Sequence, residues 1–185
     1  MNVIDCINTR RSGRIYTDRA ISRETLQELI DIGIKAPTGS NYQPWGFVVI
    51  QNKDEIDRYS ETIKVDTLAN IDTIPGLKQY EKWMTNPKFH VFNRAETLLA
   101  VYGDTNTPWY IYDCTMAAYN IMLAAWEKEI GTCWIGFAHK LFATPEFKEG
   151  HNVPEHFELV CPMSMGYLKN PLGPNERKPA TIFNW

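Results

Sequence analysis

Apolar residues recur along this chain with several periods, and the changes of period divide it into elements. Over residues 22–35, SRETLQELIDIGIK, the residues Leu26, Leu29, Ile30 and Ile34 fall at helical spacing behind a candidate N-cap, Ser22, and stop before Pro37. That spacing predicts an amphipathic helix. The segment APTGSNYQP then gathers turn-forming Pro, Gly, Ser and Asn, and WGFVVIQN reads as a short strand rich in β-branched and aromatic residues. At 97–104, TLLAVYGD is apolar without alternation, the pattern of a central strand covered on both faces.

The strongest helical pattern is at 108–128. Trp109, Tyr112, Met116, Tyr119, Leu123 and Trp126 alternate spacings of three and four, while Ala117, Ala118, Ile121, Ala124 and Ala125 fill the other faces. A helix apolar nearly all round is expected to be buried, in the middle of a domain or in a dimer interface. Gly131 ends it, TCWIG comes next, and Pro145 splits FAHKLFATPEFKEG into one or two short helices. FELVCPMSMGYL is a further strand, where Pro162 predicts an edge or a bulge. Residues 53–96 are polar, interrupted by Pro75 and Pro87, with only broken helical periodicity; they read as a mobile cover over a site. The tail NPLGPNERKPATIFNW opens as a Pro/Gly linker and ends with apolar residues that need a surface to cover them. With no internal repeat, the expectation is one mixed α and β domain over 1–185, a sheet covered by helices.

Composition narrows the partners. A chain of 185 residues, 44% hydrophobic, has apolar side chain enough for a real core. Its 19 basic and 22 acidic residues leave a net charge of -3, so no global field draws nucleic acid or an anionic membrane. MNVIDCINTRR lacks the apolar core of a signal peptide, and no later apolar run is long enough to span a bilayer; the expectation is a cytoplasmic protein. Cys6, Cys114, Cys133 and Cys161 show no CxxC spacing and read as reduced, mostly buried thiols.

Candidate chemistry reduces quickly. The histidines, His90, His139, His151 and His156, form neither HExxH nor a Cys/His ladder, so no metal is expected. There is no GxSxG, and the nearness of Cys133 to His139 in sequence is a weak basis for a nucleophile and base. Neither a dinucleotide fingerprint nor a P-loop occurs. What remains is RRSGR, residues 10–14. Guanidinium groups bind phosphate bidentately, Ser12 adds a donor, and Gly13 would let backbone approach a ligand closely. Spacing alone leaves two readings open, a small-anion site and a solvated surface cluster.

RRSGRIYTDRAIS, then APTGSNYQPWGFVVI, EKEIGTCWIG and RKP near the C-terminus, taken in that order, resemble the nitroreductase family of flavin-dependent oxidoreductases across nearly the whole chain. The resemblance implies an α+β fold with a mainly antiparallel sheet flanked by helices, an intertwined homodimer, and FMN bound at the subunit interface. It implies that Arg10, Arg11, Ser12, Gly13 and Arg14 hold the FMN phosphate and ribityl chain, with Arg177 and Lys178 also on the phosphate. Gly13 departs from the aliphatic residue usual there. Pro37, Thr38, Gly39, Ser40 and Asn41 are implied to line the flavin ring of the other subunit. Cys133, Trp134, Ile135 and Gly136 are implied to pass the ring, with the Ile135 backbone N–H near N5. FMN then carries the chemistry, with no catalytic side chain. NADH or NADPH gives hydride in a ping-pong cycle, and a nitroaromatic or quinone takes the electrons. Tyr42, Trp83, Phe89 and Trp109 are candidates for the acceptor side. Two alternatives stand beside this: a specialised relative, such as a reductive dehalogenase or flavin-fragmenting enzyme using Tyr80, Glu81 and Lys82 to bind a zwitterion, and a non-catalytic flavin-binding or sensory protein.

Overall fold

The computed structural model describes every residue except Met1, Pro171, Pro174 and Trp185. In chain order its elements are helix α1 (Val3–Thr9), α2 (Arg23–Gly33), strand β1 (Trp45–Ile50), α3 (Lys53–Ala69), α4 (Glu81–Met84), β2 (Thr97–Asp104), α5 (Tyr110–Glu127), β3 (Ile130–Trp134), α6 (His139–Phe142), α7 (Pro145–Gly150) and β4 (Phe157–Tyr167). Single 3-10 turns occupy Gly39–Asn41, Lys78–Tyr80 and Gly136–Ala138. The strands form one sheet in the order β1-β2-β4-β3, and every pairing is antiparallel. This is the α+β architecture expected. Among the described residues no helix is long and apolar enough to cross a membrane.

Side chains alternate across a strand, so the continuous apolar run of β2 supplies two cores at once. Leu99 and Val101 face a cluster with Leu26 and Leu29 of α2, Cys114, Ala118 and Ile121 of α5, and Met163 and Met165 of β4. Leu98, Ala100 and Tyr102 face the opposite cluster, with Ile56 and Ile63 of α3, Phe142 of α6 and Phe147 of α7. α2 begins as read from sequence, with Ser22 accepting the Thr25 N–H at 3.2 Å. Pro145 opens α7 behind Thr144, whose hydroxyl accepts from the Phe147 N–H. All four cysteines are free and buried.

Three expectations are corrected. The stretch at 53–96 is not merely a loose cover: Lys53–Ala69 is a continuous helix capped by Asn52, with Ile56, Ser60, Ile63, Lys64 and Thr67 buried. Its inward face mixes polar with apolar residues, which dilutes the hydrophobic period. β4 is central rather than an edge. The register slips beside Val160, giving the bulge, and Pro162 lies just past the last β3 pair, Trp134 with Met163, where its missing N–H breaks no ladder. Finally, Gly131 does not end α5, which stops at Glu127, and lies instead inside β3; within the chain α5 buries its alanine face and leaves the stripe of Trp109, Tyr112, Met116 and Tyr119 exposed, Tyr112 at 63%.

Candidate functional site

RRSGR leaves the end of α1 and runs beside β3. Ser12 bridges to Thr132 in parallel, and the Gly13 N–H donates to the Thr132 carbonyl at 2.9 Å. A Cβ at Gly13 would lie 2.9 Å from the Gly131 Cα and 2.8 Å from Leu168. Gly13 therefore serves the close packing of two backbones, not a close approach to ligand, and this explains its departure from an aliphatic residue. The Tyr16 hydroxyl secures the seam by donating to the Gly13 carbonyl at 2.5 Å, with Ser164 Oγ 3.1 Å away. Burial pushes the Tyr16 pKa well above the ordinary tyrosine value.

The seam aims its arginines into a cavity of about 400 Å³ lined by Arg10, Arg11, Ser12, Arg14, Asn175 and Arg177, with no acidic side chain in its wall among the described residues. Arg11, 8% exposed, spends Nη1 on the carbonyls of Asn8 (2.9 Å) and Arg10 (2.7 Å), so it also closes the end of α1. The Nε atoms of Arg10 and Arg11 are buried without a protein partner. Arg177 comes from the distant tail; its neighbour Lys178 is exposed and is not in the wall. Arg177 Nη1 donates to the Glu176 carbonyl at 3.3 Å, and with the unpartnered Nε atoms of Arg10 and Arg11 the arginines from both ends of the chain make a wall whose chemistry suits a small anion.

Arg14 is shared with a second cavity of about 720 Å³, into which Cys133, Trp134, Ile135 and Gly136 also open. The opposite side is aromatic. Phe137 meets Tyr80 edge-on with centroids 4.9 Å apart, Tyr80 meets Trp83 at 5.5 Å, and Trp83 meets Phe89 at 5.9 Å. Leu77, Val91 and Asn93 complete the wall. The Ile135 N–H is committed to the Pro162 carbonyl at 2.8 Å, which removes it as a ligand donor. Gly136, exposed and first in its 3-10 turn, has an N–H that the turn itself leaves without an acceptor. Burial pushes the Cys133 thiol up, partly opposed by Arg14 and Ser12, so the thiol faces the cavity uncharged.

Pro37–Asn41 enters neither cavity of its own chain. The loop is nonetheless firmly built: the Gly39 N–H donates to both carboxylate oxygens of buried Asp113, at 3.2 and 3.3 Å. Gly39 also packs so tightly on Trp109 that a Cβ there would stand 2.6 Å from its ring. Ser40, Asn41 and Gln43 hold left-handed backbone. Tyr42 and Trp109 stay with this loop, so of the four acceptor-side candidates only Trp83 and Phe89 reach the larger cavity. Tyr80, as a wall aromatic, and Phe137, Val91, Asn93 and Asp113 were missed by sequence reasoning; only Phe137, directly after CWIG, carried a signal. A separate cavity of about 550 Å³ beside Trp126 places Arg19 over the Tyr167 ring at 3.9 Å and has a wall of mixed charge, Arg19 and Lys169 with Glu129.

Known proteins resemble this chain over most of its length. Residues 7–167 match the nitroreductase family model. The chain is 28% identical over 164 residues, 89% of its length and 84% of the relative's, to an Archaeoglobus fulgidus protein provisionally named NADH dehydrogenase/NAD(P)H nitroreductase. It is 23% identical over 177 residues to the iodotyrosine deiodinase of Thermotoga neapolitana, covering 90% of this chain and 89% of that protein. Its fold matches a nitroreductase with bound FMN from Bacteroides fragilis at a TM-score of 0.82 and 25% identity, covering 100% and 99% of the two chains. The match takes in the RRSGR seam, the whole sheet and the helix behind it, and the chain belongs to the nitroreductase family.

Proposed function

We propose that this protein is a single-domain, homodimeric, FMN-dependent NAD(P)H oxidoreductase that reduces an electron-poor aromatic or quinone. The observation that carries the reading is the arginine cavity with its buried, unpartnered Arg10 Nε. A phosphomonoester bearing about -1.5 to -2 charge supplies the acceptor oxygens that such a cavity needs. Arg10, Ser12 and Arg177 hold the phosphate. Arg14, common to both cavities, would hold the pyrimidine edge of the ring and place a positive charge there, which would favour reduction. Gly136 takes the place of Ile135 as N–H donor to the ring. FMN held by these residues would supply the redox chemistry, taking hydride from NADH or NADPH and passing the electrons to the acceptor in a ping-pong cycle.

The exposed stripe of α5 and the loop Pro37–Asn41 support a site completed across the dimer, each chain's loop reaching the flavin of its partner. The aromatic wall of Tyr80, Trp83, Phe89 and Phe137 excludes water and stacks a flat acceptor. A zwitterionic amino acid is less well served: Glu81 accepts from Lys78 at 3.4 Å, and neither Glu81 nor Lys82 enters the cavity.

The absorption spectrum tests the cofactor. Purified or reconstituted protein is expected to show a band near ~450 nm that bleaches with NADH or NADPH. A colourless protein after reconstitution refutes the flavin; bound FMN that neither donor bleaches indicates a binding protein instead. Arg10→Ala and Arg177→Ala should each weaken FMN by roughly 1.5 to 3 kcal/mol, the worth of hydrogen bonds to a charged group. Unchanged affinity in both removes the phosphate assignment.

A further inference from the structure

One wall of the larger cavity is held by a buried histidine outside the flavin-binding motifs. His90 is 8% exposed, and its Nε2 lies 3.1 Å from Asp57 Oδ1 of α3. Its Nδ1 accepts two backbone N–H groups, those of Phe92 and Arg94, each at 3.2 Å. An imidazole nitrogen that accepts carries no proton, so the ring is neutral with its proton on Nε2, donated to Asp57. Between and beyond these contacts the chain is in an unusual conformation: Asn93 and Arg94 are consecutive left-handed residues, φ 57° and 54°. Such backbone persists only when its surroundings over-determine it. Three further bonds do so: Val91 N–H to buried Ser60 Oγ at 2.9 Å, Asn93 N–H to the His90 carbonyl at 2.9 Å, and Arg94 Nη2 to the Lys88 carbonyl at 3.3 Å. Asp57 and Ser60, one turn apart on α3, thus grip a turn whose Phe89, Val91 and Asn93 face the cavity.

We propose that His90 is a positioning residue, whose neutral ring pins residues 89–94 and thereby shapes the wall that receives the electron acceptor. The inference rests on reading that cavity as the acceptor pocket. Protonating Nδ1 converts the acceptor of two amides into a donor and releases the turn. The charged groups facing the ring are Asp57 and Lys53 on α3 and Arg94 on the turn itself. Burial lowers the pKa of His90, Asp57 opposes that shift, and Arg94 and Lys53 reinforce it. Release therefore belongs to acid conditions, below the ordinary histidine range.

His90→Leu removes the acceptor; His90→Asn places an amide oxygen near the position of Nδ1. With NADH as donor and 1,4-benzoquinone as acceptor, H90L is expected to raise the quinone KM about tenfold, leaving FMN affinity and the rate of bleaching by NADH unchanged. H90N is expected to recover most of that loss. The wild-type quinone KM should rise as pH falls below the ordinary histidine range, whereas that of H90N should stay level. Independently of turnover, ¹⁵N spectra of the wild type should show protonated Nε2 and bare Nδ1 near neutral pH. Amide exchange at Phe92 and Arg94 should quicken at least about tenfold in H90L but not in H90N. A proton on Nδ1, an unchanged quinone KM in H90L, or an H90N as impaired as H90L overturns the proposal. If H90L does not fold, H90N and the wild-type pH profile decide. Loss of FMN or of bleaching in the wild type strikes the flavin reading instead, and the ring tautomer and amide exchange still decide whether His90 pins the turn.

Discussion

Gly13→Ala forces a methyl group into the seam that carries the arginines. The new Cβ would lie 2.8 Å from Leu168 Cδ2, 2.9 Å from Gly131 Cα and 3.2 Å from Gly131 C. Leu168 can rotate away; the Gly131 backbone cannot, because β3 is paired with β4 from Ile130 to Trp134. Carbon atoms rest about 3.5–4.0 Å apart, so the two backbones must separate by roughly 0.6–1 Å. Such overpacking costs about 1–3 kcal/mol. The movement also strains the 2.9 Å bond from Gly13 N–H to Thr132, worth about 1 kcal/mol more. A total of about 2–4 kcal/mol lowers the urea midpoint by roughly 1–2 M at a slope of about 2 kcal/mol/M. Circular dichroism at fixed protein and FMN concentration reads the shift. Gly150→Ala, with nothing within 4 Å of its Cβ, serves as the control and should stay within about 0.5 kcal/mol. FMN affinity should fall in parallel, because Ser12 and Arg14 flank the displaced residue. A G13A protein with an unchanged midpoint and unchanged FMN affinity would refute the tight-seam account.

Asp113→Ala removes the carboxylate that accepts the Gly39 N–H and should weaken FMN about tenfold with little loss of helix content, measured by flavin fluorescence titration; affinity equal to wild type separates the loop from the flavin. Cys133 should resist iodoacetamide near neutral pH in the folded protein and react once denatured, since burial keeps its thiol protonated; rapid native alkylation seen by mass spectrometry contradicts this. Trp83→Ala loses its ring contacts with Tyr80 and Phe89, each worth about 0.5–1.5 kcal/mol, and should raise the quinone KM several-fold at constant FMN affinity; an unaltered KM takes Trp83 out of the acceptor pocket. His90 also predicts the direction of acid sensitivity. Its folded pKa lies below its unfolded one, so its contribution is full above about pH 6.5 and is lost as pH falls through the lowered folded value; H90L should lack that part of the slope in urea melts.

How legible each element was depends on what its side chains face. α2 and β2 announced themselves because their buried positions are nearly all apolar, and Ser22 marked where α2 begins. α3 did not, since it points Ser60, Lys64 and Thr67 inward as well as Ile56 and Ile63. Ser60 at least has a purpose no hydrophobic pattern can reveal: it binds a backbone N–H of a distant turn. In α5 the period left two places open for the large aromatics, the domain core and a subunit interface; the small alanines are what allow the helix close to the sheet, and the aromatics lie outside the core of the chain. For the site, local sequence offered only the arginine cluster, with a solvated surface as its alternative; CWIG and Arg177 were reached through the order of motifs that resembles a family. That Ile135 gives its N–H to Pro162, that Gly39 gives its N–H to Asp113, and that His90 meets Asp57 while accepting two amides of its own turn, are facts of hydrogen bonding without a hydrophobic or motif signature.

Within one chain the loop at Gly39 and the arginine cavity are separate, and for a site shared between two subunits this separation has a genetic consequence. A chain damaged at Arg10 keeps a sound loop, and a chain damaged at Asp113 keeps a sound arginine wall. When both variants are made in one cell, random pairing yields mixed dimers in which one of the two sites receives both defects and the other receives neither. At FMN levels too low to fill either variant, two such alleles would thus restore activity to each other, whereas two alleles both damaged in the arginine wall would not. The unit on which selection acts at this site is then the pair of chains rather than the single polypeptide.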